Sequence, residues 1–290
     1  MATTAKVIAD SISTDGVRLT TLQLKYWRGI HAELMTHRVF SRNASSSRAI
    51  PIKRMLADIW TDPAMPIFWG ANESGMQAND ELTGWKYWLA KKLWVTAGRF
   101  ACGFSYAMYL IGLHKQIGNR VTEPWQHIHV VLSSTEWGNF FALRDHADAQ
   151  PEIRELAHLM AQAMNESAPI TRDGPPRDAN SWHLPYISTQ EREVFSVTEL
   201  CAISTARCAR VSYLTHDKKV PNWSDDIKLH DRLVGSVPIH ASPTEHIAYP
   251  SKNGATFYGN FKGWKQYRKQ LEAGFAAKVE HSKLVDALVS

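Results

Sequence analysis

The residue types best suited to chemistry lie close together near the start of the chain, between Thr36 and Arg48. Thr36-His37-Arg38 is followed by seven residues and then by Ser46-Ser47-Arg48. The stretch supplies one imidazole, three guanidiniums and four serine hydroxyls, and it contains no acidic residue. Arginine offers two parallel donors to phosphate oxygens, and serine hydroxyls add neutral donors. This inventory predicts a phosphate-binding segment, with a basic surface loop as an equal alternative on composition alone.

Two further groups of polar residues are candidates for the same chemistry. Asn139, Arg144 and Asp148 lie on or just after a segment with helical periodicity, and Arg120 follows a long helical region. The segment from His240 to His246 adds two imidazoles, two hydroxyls and a carboxylate in a loop-like context. These residues offer donors for an anionic or heterocyclic ligand.

Other kinds of site lack their sequence patterns. His127 and His129 would share one face of a strand, but no HExxH and no Cys/His zinc spacing is present, so we expect no metal site. There is no GxSxG, P-loop or GxGxxG motif. The three cysteines form no CxxC pair, which favours buried free thiols in a reducing compartment. Cys208, between Arg207 and Arg210, comes nearest to a nucleophile, but helix packing is its expected role.

The composition is that of a globular protein. The chain has 290 residues, 44% of them hydrophobic and 21% charged, with a net charge of +5. This mild excess of cations favours anionic ligands without indicating a nucleic acid. The most apolar run, Trp94 to Leu113, contains Arg99 and several Gly residues, so we expect a buried helix and no membrane span. No signal peptide is apparent, and we expect a cytoplasmic protein.

Periodicity predicts strands and helices throughout the chain. The predicted strands are Val7 to Ile12, Val17 to Tyr26 and His127 to Leu132. The predicted helices are Gly29 to Arg38, Ile52 to Trp60, Asp80 to Gly118 with a break near Gly103 or Gly112, Thr135 to Ala147, Pro151 to Met164, Val197 to Tyr213, Ser224 to Ser236 with Ser224 as N-cap, and Asn260 to Leu271. The tryptophan-rich helix Asp80 to Gly118 is expected to form the architectural core. Residues 168–191 are expected to be a loop or lid, and residues 275–290 a weakly structured tail.

The segment from Thr36 to Arg48 resembles the signature of the flavin-dependent thymidylate synthases, which is Arg-His-Arg, seven residues, then Ser-x-Arg. Further along, Asn139-Phe140-Phe141-Ala142-Leu143-Arg144 and residues 149–153 resemble that family's Asn-Phe-x-x-Leu-Arg helix and its continuation. Asn119-Arg120 with Pro124 resembles its Ala-Arg-x-x-Leu-Pro segment. Residues 209–213 and 240–246 resemble segments that precede the signature in ordinary family members. Here they follow it, so the resemblance implies a circular permutation.

The resemblance implies a fold, an activity and partners. The fold would be α+β, with an antiparallel or mixed sheet packed against long helices, in one domain over residues 1–290. The activity would be transfer of a one-carbon unit from methylenetetrahydrofolate to C5 of a pyrimidine deoxynucleotide monophosphate, dUMP by default. FAD would be the cofactor and NADPH its reductant. Family members are homotetramers with sites shared between subunits, and they use no cysteine nucleophile on the base.

The resemblance also implies roles for residues. Those expected to contact FAD are His37, Arg38, Asn139, His240 and Ser242. Those expected to contact the nucleotide are Glu33, Ser46, Arg48, Arg120 and Arg144. Of these, Arg144 is the expected catalytic residue, because a guanidinium near the base stabilises the negative charge that builds as C5 becomes nucleophilic.

Four residues depart from the family pattern. Thr36 replaces the first Arg of the signature, Ala44 replaces a Glu, Asp148 stands in place of a His, and Glu33 in place of a frequent Gln. A new carboxylate near the base would accept a hydrogen bond from the cytosine amino group. Methylation or hydroxymethylation of dCMP, or hydroxymethylation of dUMP, is therefore the sibling alternative. A non-catalytic nucleotide-binding protein is the alternative from another class.

Overall fold

The fold is built on a five-stranded sheet with helices on both faces. We describe it from a computed structural model over residues 3–75, 78–211, 222–236 and 240–274. The strands there are β1 (Thr4–Ser13), β2 (Arg18–Trp27), β3 (Ser41–Ala44), β4 (His127–Ser134), β5 (Ile170–Arg172), β6 (Ala248–Pro250), β7 (Phe257–Tyr258), β8 (Phe261–Lys262) and β9 (Trp264–Gln266). The helices are α1 (His31–Met35), α2 (Ile52–Thr61), α3 (Gly84–Leu110), α4 (Lys115–Gly118), α5 (Gly138–Arg144), α6 (Pro151–Asn165), α7 (Thr189–Val194), α8 (Val197–Arg210) and α9 (Trp223–Val234).

The main sheet has the order β3-β4-β2-β1-β5. β1 and β2 form the predicted hairpin, in which Gly16 adopts a φ of +77° that suits glycine. The pairs β2–β4 and β3–β4 are also antiparallel, whereas β5 pairs with β1 in parallel. The sheet is therefore mixed, and the predicted α+β class is confirmed.

One face of the sheet carries the largest apolar core. Leu22 and Leu24 of β2, with Val130 of β4, are almost fully buried on this face because alternate strand residues point to the same side. The predicted apolar stripe of α6 packs against them, as its burial of Leu156 and Met160 shows. The predicted helix Pro151 to Met164 is confirmed, with Pro151 in its first turn.

The opposite face of the sheet is covered by α8, in which every residue from Leu200 to Ala209 is buried. Between sheet and helix lies a chain of hydrogen-bonded side chains. Ser11 Oγ bonds His183 Nδ1 (2.9 Å), and His183 Nε2 bonds Thr21 Oγ1 (2.7 Å). Thr21 Oγ1 then bonds Ser133 Oγ (2.6 Å), which bonds His246 Nδ1 (2.9 Å). All five residues are almost fully buried.

The helix α3 is not the architectural core, contrary to the sequence expectation. It buries a narrow stripe of small residues, Gly98, Ala101, Cys102 and Ser105, at helical spacing. A Cβ at Gly98 would lie 2.9 Å from the Trp125 ring, which explains the small residue there. Most large apolar side chains of α3 face outward, whereas Trp94 packs against Trp125, so composition alone could not reveal which side was packed. No helix within the described residues is both long and apolar enough to cross a membrane.

The predicted break near Gly112 is confirmed, because α3 ends at Leu110, Gly112 has φ +87° and α4 follows, whereas the helix continues unbroken through Gly103. Other predicted boundaries are wrong. The helix predicted from Thr135 to Ala147 shrinks to α5, and the one predicted at Asn260 to Leu271 gives way to β8 and β9, with helix only over residues 267–274. Asn222, not Ser224, caps α9 by accepting a hydrogen bond from the Ser224 backbone N–H.

The segment 168–191 is packed rather than free. It contributes β5 to the sheet, and its residues Trp182, His183 and Leu184 are at most 2% exposed. Little of it is left to act as a lid. The end of the helix predicted from Val197, at Ser212 and Tyr213, and the predicted tail at residues 275–290 lie outside the described residues.

Candidate active site

Arg144 lies at the end of α5, where its side chain contacts three residues of the segment after β2. Its Nη1 is 2.9 Å from Glu33 Oε2, its Nε donates to His37 Nε2 at 3.2 Å, and its Nη2 lies 3.5 Å from Thr36 Oγ1. The short helix is anchored by the buried Phe140, which leaves Arg144 half-buried at its last turn. The structure therefore brings three predicted site residues, Glu33, His37 and Arg144, into direct contact.

His37 is held by aromatic rings on two sides. Its ring stacks on Phe40 with centroids 5.8 Å apart and meets the edge of Phe140 at 5.0 Å. Burial, followed by the positive charges of Arg144 and Arg42, lowers the pKa of His37 below its usual value. The imidazole is therefore neutral at pH 7, and Nε2 accepts the hydrogen bond from Arg144. A neutral ring in this position lets the guanidinium stay close without repulsion.

A cavity of about 820 Å³ opens beside this cluster. Its lining includes Glu33 and Arg144, together with Asp148 and Arg154. The Asp148 side chain is 83% exposed and lies 3.6 Å from His146 Nδ1. The volume lies within the range of pockets that hold small-molecule ligands, about 300–1,000 Å³. The cavity thus combines guanidiniums with carboxylates around a space of nucleotide size.

The serine-rich part of the segment that resembles the signature forms a turn, which is held by hydrogen bonds to Asn119 and Glu123. Asn119 Nδ2 donates to the carbonyl oxygens of Ser47 (2.7 Å) and Ile50 (3.0 Å). Ser47 Oγ donates to Glu123 Oε1 at 3.0 Å, and the same oxygen lies 3.9 Å from Arg120 Nη1. We call Ser45–Ile50 the Ser47 turn. The structure places Arg120 beside it, on the same carboxylate that holds Ser47.

Two more predicted residues belong to the Ser47 turn. Ser46 Oγ accepts a hydrogen bond from the Arg48 backbone N–H at 3.3 Å, which tightens the turn. The side chains of Arg48 and Arg120 are exposed, so both guanidiniums are accessible to a ligand. β3 separates the Ser47 turn from the Arg144 cluster by its four residues, or roughly 13 Å. The two groups are therefore neighbours along one strand, without direct contact.

The remaining predicted residues are more scattered. Asn139 is exposed near the start of α5, five positions before Arg144, and therefore lies on a different side of the helix. His240 is exposed, and Ser242 opens a 3-10 helix that ends at His246. Gln266 connects that helix to β3, because its Nε2 donates to both Ser41 Oγ (2.9 Å) and the Glu245 carbonyl (2.8 Å).

Sequence reasoning missed some residues of the site. Arg154 lines the cavity from the first turn of α6, a position that the predicted start at Pro151 already implied. Asn119 and Gln266 were not assigned the positioning roles that the structure gives them. The cysteines are free and buried among the described residues, and burial raises the pKa of Cys208, so this thiol is no nucleophile.

The comparison with protein families bears on the α5 region. Residues 125–170 match the family of thymidylate synthase complementing proteins. This match confirms the resemblance to the flavin-dependent thymidylate synthases within those residues, which include Arg144. The family match leaves the signature, Thr36 to Arg48, and the segment 240–246 outside it. No curated protein matches the chain significantly.

Solved structures show a more distant likeness. A UMP/dUMP methylase, PolB from Streptomyces cacaoi, bound with 5-Br dUMP, is 13% identical with a TM-score of 0.45. The same protein bound with 5-Br UMP is 14% identical with a TM-score of 0.48. In both comparisons 57% of this chain and 89% of the other are covered.

Proposed function

We propose that this chain is a flavin-dependent transferase that moves a one-carbon unit from methylenetetrahydrofolate to C5 of a pyrimidine deoxynucleotide monophosphate. dUMP is the proposed substrate and dTMP the product. The observation that carries the proposal is the position of Arg144. It lies inside the matched residues 125–170 and lines a cavity of nucleotide size. It also contacts Glu33 and, within the segment that resembles the signature, His37.

The nucleotide phosphate binds at the Ser47 turn in this proposal. Ser46, Arg48 and Arg120 supply a hydroxyl and two exposed guanidiniums, and Asn119 holds the turn in place. Arginine binds phosphate oxygens in a planar, two-pronged geometry, which favours this assignment over a plain basic loop. Residues of the turn thus orient the substrate and take no part in bond making.

Arg144 acts on the base. C5 becomes nucleophilic when the base takes on enolate character, so negative charge is shared between C5 and the base oxygen before the one-carbon unit is accepted. Glu33 and His37 accept hydrogen bonds from two N–H groups of the guanidinium and hold it in place before the substrate binds. This avoids reorganisation during the reaction. Since Glu33 also reduces the net positive charge of Arg144, its role is positioning rather than charge stabilisation.

The residues present fit FAD as the cofactor. Arg38, Asn139 and His240 are exposed, and together with Ser242 they offer cationic and neutral donors for flavin carbonyls and a diphosphate. When bound, FAD would supply the hydride chemistry, with NADPH as its reductant. The protein contributes orientation and charge. These four residues do not form one contact cluster in the described chain, which supports contributions from more than one subunit.

We further propose that the protein is a homotetramer with one such site shared between subunits. The support is the outward face of α3, where Trp85, Phe100, Phe104 and Leu110 are each more than 60% exposed. A groove between this face and Trp60 has an almost wholly apolar lining. Apolar patches of this kind mark association surfaces in globular proteins.

A second candidate substrate is dCMP, with methylation or hydroxymethylation as the outcome. Asp148 favours it, because its exposed carboxylate lines the same cavity as Arg144 and would accept a hydrogen bond from the cytosine amino group. A uracil carbonyl at that place would face the carboxylate with no proton between the two acceptors. The carboxylate of Asp148 therefore favours cytosine over uracil at this position.

The deciding experiment is a product-mass assay. The purified protein is incubated with dUMP or dCMP, FAD and methylenetetrahydrofolate, with and without NADPH, and the nucleotide products are weighed by mass spectrometry. We expect dTMP from dUMP only when NADPH is present. A hydroxymethyl product identifies the sibling activity, and a gain of carbon on dCMP alone identifies the second substrate. If neither nucleotide gains carbon and the protein cannot be reconstituted with FAD, the non-catalytic binding protein is the correct assignment.

A further inference from the structure

A second cluster of guanidiniums lies far from the proposed active site, in a cavity of about 260 Å³ between β1, β5 and α7. Arg172 of β5 and Arg192 of α7 both line it, together with Ser11 and Thr189. β5 forms the edge of the sheet opposite to β3, which carries the signature segment. Five strands at about 4.8 Å spacing put roughly 19 Å between these two edges. The cavity is therefore distinct from the nucleotide site.

Neither arginine has a carboxylate partner among the described residues. Arg172 Nη1 donates to the Asn180 carbonyl at 3.1 Å, and Arg192 Nη1 donates to the Ala179 carbonyl at 2.6 Å. Arg172 is only 9% exposed, yet its Nε is buried without a hydrogen-bond partner. A buried guanidinium donor left unsatisfied is costly, so this atom indicates a missing acceptor.

The two charges also act on each other. Burial, followed by the charge of Arg172, lowers the pKa of Arg192 to about 10. The neighbouring His183 feels both arginines, which add to burial in holding its pKa well below the usual value. Two like charges with no counter-ion are unfavourable in a partly dry site. An anion between them would relieve both effects.

The one carboxylate in the lining is already engaged elsewhere. Asp10 accepts hydrogen bonds from Arg18 Nε at 2.9 Å and from Thr20 Oγ1 at 3.1 Å. Successive side chains of a strand point to opposite faces, and the next residue, Ser11, bonds His183 on the face that holds Arg172. The Asp10 side chain therefore belongs to the other face of the sheet and does not neutralise the arginine pair.

We propose that this cavity binds a phosphate dianion, held between Arg172 and Arg192. Two guanidiniums supply several donors with the planar geometry that phosphate oxygens accept, and the hydroxyl of Thr189 lines the same space. A volume of 260 Å³ admits a phosphate group with a few waters, each of which takes about 30 Å³, but falls below the usual range for a whole nucleotide. The ligand is free phosphate or the phosphate group of a small monoester.

The test is isothermal titration of the protein with inorganic phosphate and, in a second arm, with glycerol 3-phosphate. The parent protein carries Arg48→Gln and Arg120→Gln, so that the proposed nucleotide site does not contribute. We expect Arg172→Gln or Arg192→Gln to weaken binding by about tenfold or more, the scale of a lost charge-assisted hydrogen bond. Arg177→Gln removes an exposed charge from the same segment and should leave binding unchanged. Tighter binding of one probe identifies the source of the phosphate.

Absence of phosphate binding by the parent, or binding by both arginine variants as tight as by the parent, would overturn the proposal. If a variant does not fold, crystals of the unsubstituted protein soaked in selenate provide the second measurement. An anomalous selenium peak between the guanidiniums of Arg172 and Arg192 supports the site, and its absence there refutes it. Neither result depends on flavin, folate or catalytic turnover, so failure here leaves the proposed transferase activity standing.

Discussion

At the scale of single residues, the contacts of Arg144 set the demands on the proposed site. Its Nε and Nη1 bind two different partners, a neutral imidazole and a carboxylate, at 3.2 Å and 2.9 Å. A lysine has one nitrogen and cannot reproduce this fork. The orientation of the guanidinium therefore depends on both Glu33 and His37.

We expect Arg144→Lys to lower kcat/KM by about 100- to 1,000-fold, because losing a preorganised donor to developing charge costs about 2.7–4 kcal/mol. Glu33→Gln keeps a hydrogen-bond acceptor and should lower kcat by about tenfold. The measurement is steady-state kinetics with mass detection of product, with unfolding by urea as the control for stability. Activity of Arg144→Lys within twofold of the unsubstituted protein would remove Arg144 from the reaction.

The family resemblance carried by the sequence was sufficient to select Glu33, His37 and Arg144 as candidates, and the structure brings these three together. Their pairing could not be deduced, because Arg144 lies more than a hundred positions from both partners. Contacts of such sequence separation depend on how α5 packs against the segment after β2. The role of Asn119 was missed for the same reason, since its partners lie in the Ser47 turn.

At the scale of elements, the buried side-chain amide of Asn119 supports the Ser47 turn through two of its carbonyl oxygens. Asn119→Ala removes two hydrogen bonds and leaves the Ser47 and Ile50 carbonyls without this donor. We expect the free energy of unfolding to fall by about 1–3 kcal/mol and the KM for nucleotide to rise more than kcat falls. Urea unfolding and steady-state kinetics measure the two effects. Gln116→Ala, an exposed amide on α4, should change neither; an unchanged KM in Asn119→Ala would separate the turn from phosphate binding.

The exposed face of α3 gives a prediction about assembly. Phe100 and Phe104 are 67% and 64% exposed and lie one turn apart. If this face is buried between subunits, Phe100→Asp with Phe104→Asp should reduce the mass measured by sedimentation equilibrium. The matched control places His158→Asp and Gln162→Asp on the exposed side of α6, at the same spacing. An unchanged mass in the α3 variant would contradict association through this face.

The strands and α6 could be predicted because their apolar periodicity matches the face that they bury. The packing of α3 could not, since its apolar residues surround the helix and its fully buried residues are all small. Residues 168–191 were expected to be an exposed loop, whereas α3 was expected to be buried, and both expectations failed. The Pro, Asn and Asp content of residues 168–191 indicates a loop, but Trp182 and Leu184 are buried by contacts with residues distant in sequence.

At the scale of the whole molecule, buried histidines link stability to pH. Burial lowers the pKa of His246 from 6.5 to about 3, and burial with nearby positive charge lowers those of His31 and His127 to about 4. Below pH 6.5 the unfolded chain binds protons that the native protein excludes. The contribution of these histidines to the free energy of unfolding is therefore fully present above pH 6.5 and is lost as the pH falls toward 4.

Urea unfolding at pH 7, 6 and 5 tests this dependence. Each such histidine contributes a slope of up to about 1.4 kcal/mol per pH unit. We expect His246→Asn, which retains a polar group toward Ser133, to flatten the slope between pH 6 and pH 5. His158→Asn, at a side chain that is 70% exposed, is the control and should not flatten it. Equal slopes in the two variants would refute the assignment to His246.

The chain of side chains from Ser11 through His183, Thr21 and Ser133 to His246 has one more property. A neutral imidazole carries a single N–H, and each hydroxyl has a single proton to donate. The four bonds can therefore all point one way or all point the other, and a reversal at one end requires a change of histidine tautomer at the other. His246 Nε2 is buried and has no hydrogen-bond partner. Only the direction in which His246 carries its proton on Nδ1 avoids an unsatisfied N–H at Nε2. The chain therefore favours the direction in which His246 Nδ1 donates to Ser133 and His183 Nδ1 donates to Ser11, so that the burial of His246 Nε2 also sets the tautomer of His183.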